Sequence, residues 1–231
     1  MSTSSGPVIL KLGGSLVVPK EIDIRYLKAF RSLIIKHIRR GSRFVIIVGG
    51  GYVGRRYRDF AKALGVVSTA DLHWIGTIFT QLNAEFVRAL FGKLAHPRPY
   101  CDYSKKILWR KPVLMVGGAK PGHSTDHDAV LMARKFGSRT IFNITNVPFL
   151  YTRDPKKYRD AKPIREISWK EYRSMFGNPK KHLPGQNIPI DAVAAKNSQK
   201  YKIETFYVGG QNLKNLDRLL SGGKWTGTRI F

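Results

Sequence analysis

Residues 43–64 of the sequence read RFVIIVGGGYVGRRYRDFAKAL, and this stretch decides the fold. An apolar, β-branched run ends in three glycines, and a segment with helical character follows. Gly49, Gly51 and Gly54 have the G-x-G-x-x-G spacing of a dinucleotide-binding turn. The stretch therefore predicts a buried strand, a glycine turn that can hold an anion, and a helix. It leaves open which anion the turn holds.

A strand that ends in paired glycines is predicted three more times. The segments are VILKLGGSLV (8–17), PVLMVGGAKPGHSTD (112–126) and TFYVGGQN (205–212). Continuous apolar runs of this length are typical of strands that are buried on both faces, as in a parallel sheet.

Helical patterns lie between these strands. One apolar stripe consists of Ile24, Leu27, Leu33, Ile34 and Ile38, and another of Ile78, Leu82, Phe86, Ala89 and Leu90. The alternation of strands and helices predicts an α/β fold with a doubly wound sheet and right-handed crossovers.

In such a sheet the carboxyl ends of the strands share one edge, and ligands bind at that edge. Glycine at a strand end lets backbone N–H groups approach a ligand, so several such turns can hold several phosphates. The first three glycine turns favour this function. TFYVGGQN is interpreted as an ordinary turn.

The dinucleotide alternative is weaker. Its motif requires a second strand that ends in an acidic residue about 20 residues further on. Asp71 lies near that distance, but GVVSTADLHW (65–74) is a poor strand because polar residues occupy its middle. The motif also leaves the other glycine turns unexplained, and no Walker A sequence is present. A turn that holds another kind of anion is favoured.

Composition limits the class of protein. The chain has 231 residues, of which 42% are hydrophobic, and this suits one globular domain. No membrane span or signal peptide is predicted, and the single cysteine, Cys101, fits a reducing cytoplasm. The net charge of +26 attracts nucleotides and other polyanions. Nucleic-acid binding is not excluded, although no recognition motif supports it.

Lys11 is singled out by its surroundings. It lies within an apolar segment that is predicted to be a buried strand, where a charge requires a partner. A cation beside the first glycine turn can help that turn to hold an anion.

Seven segments, in order along the chain, resemble the amino-acid kinase superfamily and, within it, uridylate kinases of the archaeal type. They are LKLGGSLV, VGGGYVGRRY, WIGTIFTQLNAEFVRAL, GGAKPGHSTD, ITNVPFLYTRDPKK, IDAVAAK and GKWTGTRI. PGHSTD and the segment from Thr145 to Pro155 are the specific ones. The resemblance extends from about Val8 to Arg229.

This resemblance implies an α/β sandwich in which a mainly parallel central sheet lies between layers of helices. It implies a single domain over residues 1–231, with an acceptor lobe at about 8–140 and an ATP-binding lobe at 141–231. The implied reaction is transfer of the γ-phosphoryl group of ATP to UMP, with Mg²⁺, in pyrimidine nucleotide synthesis. Close relatives form hexamers, so a homo-oligomer is also implied.

The resemblance assigns roles to individual residues. The catalytic residues are Lys11, Asp126 and Asp191. The ATP side comprises Lys11, Leu12, Gly13, Gly14, Ser15, Gly51, Arg55, Thr145, Asn146, Tyr151 and Asp154. The UMP side comprises Gly50, His73, Ala119, Lys120, Pro121, Gly122, His123, Ser124 and Thr125. No metal ligand is assigned with certainty.

Several of these residues have a second interpretation. Asp126 is expected to orient Lys11 or a metal-bound water. Ser124, Thr125 and Asp191 are also good helix N-caps. The segment that contains Asp154 can be simply a basic turn. Arg56 and Arg58 are interpreted as solvated neighbours of Arg55.

The chain departs from the family pattern at two places. His73 occupies the position of an aspartate that holds the UMP ribose in the family, and Pro148-Phe149 replaces a usual Asp-Gly. Two alternatives therefore stay open: a kinase of the same fold for another phosphorylated or carboxylated acceptor, and an inactive member that binds polyanions. The intact set of Lys11, Asp126 and Asp191 argues against the second.

Overall fold

The computed structural model describes residues 6–177 and 188–231. Its strands are β1 (Val8–Leu12), β2 (Phe44–Val48), β3 (Val113–Val116), β4 (Thr140–Thr145), β5 (Leu150–Tyr151), β6 (Pro163–Ile164), β7 (Glu166–Ile167), β8 (Glu204–Gly209) and β9 (Thr228–Ile230). Within the described ranges, seven of them form one sheet in the order β3-β2-β1-β4-β8-β9-β7, and β5 pairs with β6. The five strands from β3 to β8 are parallel, and only β9 is antiparallel to its neighbour β8. The four predicted strands and the mainly parallel sheet are confirmed.

Eight α-helices occur in the same part of the chain. They are α1 (Gly14–Val17), α2 (Ile24–Ile38), α3 (Gly51–Ala63), α4 (Thr69–Phe91), α5 (Thr125–Lys135), α6 (Trp169–Phe176), α7 (Ala192–Tyr201) and α8 (Leu213–Leu220). Ser68 caps α4, so the segment that made a poor strand is the beginning of a long helix.

The sheet has a hydrophobic core on each face because successive side chains of a strand point to opposite sides. Leu10 and Ile46 pack on one face with residues of α2, α4 and α8. Ile9 and Ile47 pack on the other face with residues of α5, α6 and α7. The predicted sandwich of a sheet between helix layers is confirmed.

The predicted apolar stripe of α4 faces the core only in its second half, where Phe86 and Leu90 pack against the core. Ile78 and Leu82 are 56% and 59% exposed, and the helix buries Thr77, Thr80 and Asn83 near them. The glycine turns approach this face too closely for large side chains. A Cβ atom added at Gly118, for example, would lie only 2.9 Å from the Thr80 Oγ1 atom. Small polar side chains fit there and hydrogen-bond to the turns.

Within residues 6–177 and 188–231, no helix has the length and apolar character that crossing a membrane requires.

Candidate active site

The turns after β1 and β2 pack backbone against backbone. A Cβ atom added at Gly14 would lie 2.1 Å from the Gly51 nitrogen and 2.6 Å from the Gly49 oxygen. The Gly13 N–H donates to Ile144 at the end of β4, with an N–O distance of 2.8 Å. Contacts this close require glycine. They join the turns into one continuous surface at the carboxyl edge of the sheet, where ligands of such folds bind.

Two other predicted residues of the ATP side adjoin this surface. Arg55, on α3, donates through Nη2 to the Ser15 Oγ atom at 3.3 Å. Leu12 contributes only backbone, because its side chain is fully buried in the core and its carbonyl accepts from Gly49 at 3.0 Å. The structure thus brings Arg55 to the first glycine turn.

Lys11 has the buried partner that its position requires. Its Nζ atom lies 2.9 Å from the Asp126 Oδ1 atom, and the two side chains are only 12% and 14% exposed. Asn143, which pairs with Lys11 in the sheet register, donates to the same oxygen at 3.2 Å. The Asp126 carboxylate, at the amino end of α5, is therefore contacted from two sides, by Lys11 of β1 and by Asn143 of β4.

Residues 117–124, here called the acceptor loop, are anchored at their beginning. The Gly118 N–H donates to Thr80 at 2.8 Å, and its carbonyl accepts from Gln81 at 2.7 Å. Tyr103 donates to the Gly117 carbonyl at 2.7 Å. Burial raises the pKa of Tyr103 well above its usual value, so the phenol stays a donor.

The end of the acceptor loop is fixed by two helix caps. Ser124 caps α5 by accepting from the His127 N–H at 3.0 Å. Asp191 caps α7 by accepting from the N–H groups of Val193 and Ala194. The Ser124 hydroxyl also donates to Asp191. Asp191 therefore reaches the site through Ser124, and its bonds to the N–H groups of α7 are those of a helix cap.

The remaining residues predicted for UMP differ in exposure. Ala119, Pro121 and Thr125 are half-buried, whereas Lys120 and Gly122 are exposed. Gly122 has a φ of +83°, which favours glycine at the tip of the loop. His123 turns inward instead, and its Nδ1 atom lies 3.4 Å from the Asp128 Oδ1 atom.

The other predicted UMP residues, Gly50 and His73, lie on neighbouring elements. A Cβ atom at Gly50 would be 3.4 Å from the Gly76 oxygen, and His73 lies one turn before Gly76 on α4. Arg58 also lies against Gly76, with its Nη1 atom 3.5 Å from a Cβ atom placed there. The prediction of a solvated Arg58 is wrong, since Arg58 is half-buried, and burial, with the charge of Arg55, lowers its pKa.

On the ATP side, Thr145 ends β4, and Asn146 follows it and is exposed. Tyr151 lies in β5 with its ring against Phe149. The exposed Asp154 accepts from the Lys156 N–H at 2.9 Å, as a residue that stabilises a turn does. The structure gives Asp154 this local role, and its contact with a ribose stays a prediction.

Sequence reasoning missed five residues that build the site. They are Thr80, Gln81, Asn83, Asp128 and Asn143, of which Asn83 donates to the Gly49 carbonyl at 2.8 Å. Asn143 carried a usable signal, because it is a polar residue inside the strand TIFNIT. The side chains on α4 had no such signal, since polar residues on a helix usually face solvent.

Among the residues that the structure describes, no group of three or more histidine, cysteine, aspartate or glutamate side chains is arranged to hold a metal ion.

Comparison with known proteins gives consistent matches. Residues 6–206 match the Amino acid kinase family. A uridylate kinase of Thermococcus kodakarensis is 32% identical over 225 residues, which cover 96% of this chain and 98% of that protein. A uridylate kinase of Methanococcoides burtonii is 27% identical over 230 residues, with 96% and 97% covered.

Solved structures agree with these matches. The uridylate kinase of Archaeoglobus fulgidus has a TM-score of 0.79 at 28% identity, and the match covers 97% of this chain and 100% of that chain. A UMP kinase of Bacillus anthracis has a TM-score of 0.77 at 18% identity, with 97% and 95% covered, which indicates a common fold.

Proposed function

The chain belongs to the amino acid kinase family, and we propose that it is an enzyme that transfers the γ-phosphoryl group of ATP to UMP, giving UDP and ADP. The observation that carries this proposal is the Lys11–Asp126 pair, which lies between the paired glycine turns and the acceptor loop. The similarity to uridylate kinases over nearly the whole chain supports UMP as the acceptor.

The proposed mechanism relies on positioning and charge. Two anionic nucleotides must approach each other in line, and the transferred phosphoryl group accumulates negative charge on its oxygens. Lys11 would neutralise part of that charge, and Asp126, which accepts a hydrogen bond from Asn143, would hold its ammonium group in place. The backbone N–H groups of Gly13, Gly14 and Gly51 would hold the phosphates of ATP.

Mg²⁺ would arrive with ATP, since this ion usually keeps several waters and binds through nucleotide phosphates and one or two carboxylates. The site fits such an ion, because Lys11 and Asn143 both contact the Oδ1 atom of Asp126. The Asp126 carboxylate would hold a metal-bound water near the phosphates. The ion would supply further neutralisation of phosphate charge.

The acceptor is tested with a panel of nucleoside monophosphates, each with ATP and Mg²⁺, read as release of ADP. UMP is expected to give the highest kcat/KM of the panel. A clear preference for another phosphorylated or carboxylated acceptor would establish the alternative kinase. ADP release that no acceptor stimulates would indicate an inactive, polyanion-binding member.

His73 is expected to weaken discrimination between ribose and deoxyribose. A carboxylate accepts hydrogen bonds from both ribose hydroxyls, whereas a neutral imidazole has one acceptor and one donor. The variant His73→Asp should raise the ratio of kcat/KM for UMP over dUMP by about tenfold, the worth of one hydrogen bond to a charged group. His96→Asp, with the same charge change in the loop before β3, serves as the control. A parent that already rejects dUMP, with an unchanged ratio in the variant, would show that His73 is not at the ribose.

We also propose a homo-oligomer, and specifically the hexamer that the family resemblance of the sequence implies. Support comes from an exposed apolar stripe on α4, formed by Trp74, Ile78 and Leu82, next to exposed Tyr57 and Phe60 of α3. Patches of this kind often mark protein interfaces. Ile78→Asp should lower the mass measured by light scattering, whereas Leu108→Asp, at a site 88% exposed elsewhere, should not. A monomeric parent would contradict the proposal.

We propose that the enzyme acts in the cytoplasm, where ATP and UMP are available. Nucleic-acid binding driven by the charge of +26 stays a prediction, and it should be weak and lost as salt is raised.

A further inference from the structure

Asp128 is a buried acid that the proposed mechanism does not use. It lies in the first turn of α5 and is 0% exposed. Burial raises its pKa, the charge of Asp191 raises it further, and His123 and Tyr103 lower it. A buried carboxylate is costly unless a partner offsets the lost hydration. The residue that provides this partner is therefore informative.

The partner belongs to the acceptor loop. The Nδ1 atom of His123 lies 3.4 Å from the Asp128 Oδ1 atom, an ion-pair distance without hydrogen-bond geometry, and the His123 side chain is only 17% exposed. The ring of His127 lies against that of His123, with 4.5 Å between the centroids. His127 in turn lies 3.3 Å from the Asn197 amide of α7. The imidazole of His123 thus packs against Asp128 and His127 of α5, and His127 links it to α7.

The acceptor loop is consequently anchored at both ends and exposed at its tip. Thr80, Gln81 and Tyr103 hold Gly117 and Gly118. Asp128 and Asp191 hold His123 and Ser124 at the other end. Lys120 and Gly122 between them are exposed. Loss of one anchor would give the tip more conformations, and ordering them again would weaken acceptor binding.

We propose that Asp128 is a positioning residue for the acceptor: by holding His123, it keeps the acceptor loop in the conformation that binds UMP. Asp128 is fully buried and does not touch the substrate, so it acts through His123. The same geometry changes the role expected for His123, from a direct UMP contact to an anchor of the loop. This inference rests on the proposed function for its substrate.

The test is a comparison of kinetic constants in the full-length protein. Asp128→Asn keeps the shape of the side chain and removes its charge. It should raise KM for UMP by about tenfold, which corresponds to about 1.4 kcal/mol of acceptor binding, while kcat and KM for ATP change by less than about threefold. A merely structural role would alter all three constants or none. An unchanged KM for UMP in folded Asp128→Asn would overturn the proposal.

Two variants serve as controls. Asp217→Asn removes the acid from another aspartate–histidine pair, in which the His37 Nε2 atom lies 2.9 Å from the Asp217 Oδ1 atom on α8. It should leave KM for UMP unchanged. His123→Gln should reproduce the effect of Asp128→Asn, and the double variant should be no worse than either single one. Effects on KM for UMP that multiply in the double variant would contradict the proposal. If Asp128→Asn does not fold, the KM for UMP of His123→Gln alone decides.

Hydrogen exchange separates this inference from the proposed function, because it needs no turnover. In the protein without nucleotides, Asp128→Asn or His123→Gln should speed amide exchange in peptides that cover residues 117–127, and Asp217→Asn should not. Faster exchange in a protein that does not phosphorylate UMP would support the loop anchor and contradict the substrate. Unchanged exchange would overturn the anchor whichever acceptor the enzyme uses.

Discussion

Lys11→Ala is expected to lower kcat by about 10²–10³-fold, the usual loss when one donor to a developing charge is removed. KM for UMP should change by less than about threefold, since Lys11 acts on charge that appears during transfer and not on the bound acceptor. The measurement is ADP release at varied UMP and saturating ATP. The separation of kcat from KM identifies a role in the transition state.

Loss of Lys11 also leaves Asp126 buried without its cation, so the fold must be checked. Lys11→Met keeps most of the stem of the side chain and separates charge from packing. Lys36→Ala breaks a lysine–aspartate pair on the surface, between Lys36 and Asp217, and should leave kcat unchanged. Turnover of folded Lys11→Ala within a few-fold of the parent would show that the assignment is wrong.

Gly14→Ala is expected to have the second large effect, on stability. The new Cβ atom would lie 2.1 Å from the Gly51 nitrogen and 2.6 Å from the Gly49 carbonyl carbon, so the turns after β1 and β2 must separate. Overpacking of this kind costs about 3 kcal/mol, which lowers the Tm of a chain of this length by about 6–12 °C. Because these turns are proposed to hold ATP, KM for ATP should rise as well.

Gly223→Ala is the matched control. A Cβ atom at Gly223 would meet its nearest neighbour, the Arg218 oxygen, at 3.5 Å, an ordinary contact. Thermal unfolding of both variants, followed by circular dichroism, makes the comparison. If Gly14→Ala melted within about 2 °C of the parent, the two turns would not be packed as described.

The sheet and its functional edge could be predicted because the signal is local. Each apolar run that ends in Gly-Gly becomes a strand whose glycine turn lies at one edge, and parallel strands bring those turns together without further information. The same reasoning explains why a lysine inside β1 had to find a partner. The pairing of Lys11 with Asp126 confirms that expectation.

The face of α4 could not be predicted in the same way. The helix has an apolar stripe and a small polar stripe, and periodicity favours burial of the apolar one. Tertiary contacts reverse the choice around Ile78 and Leu82, because the glycine turns leave room there only for side chains such as Thr80 and Asn83. Asp128 was missed for a related reason: an acidic residue in the first turn of a helix is usually explained by the helix dipole.

The most direct test of the central claim is the fate of the γ-phosphoryl group. Purified protein is incubated with ATP labelled at the γ-phosphorus, Mg²⁺ and UMP, and the labelled products are separated. We expect the label in the β-phosphate of UDP, with an equal amount of ADP formed, and neither in Lys11→Ala at comparable times. Label that stays in ATP, or that appears only as inorganic phosphate while UMP is unchanged, would contradict the claim.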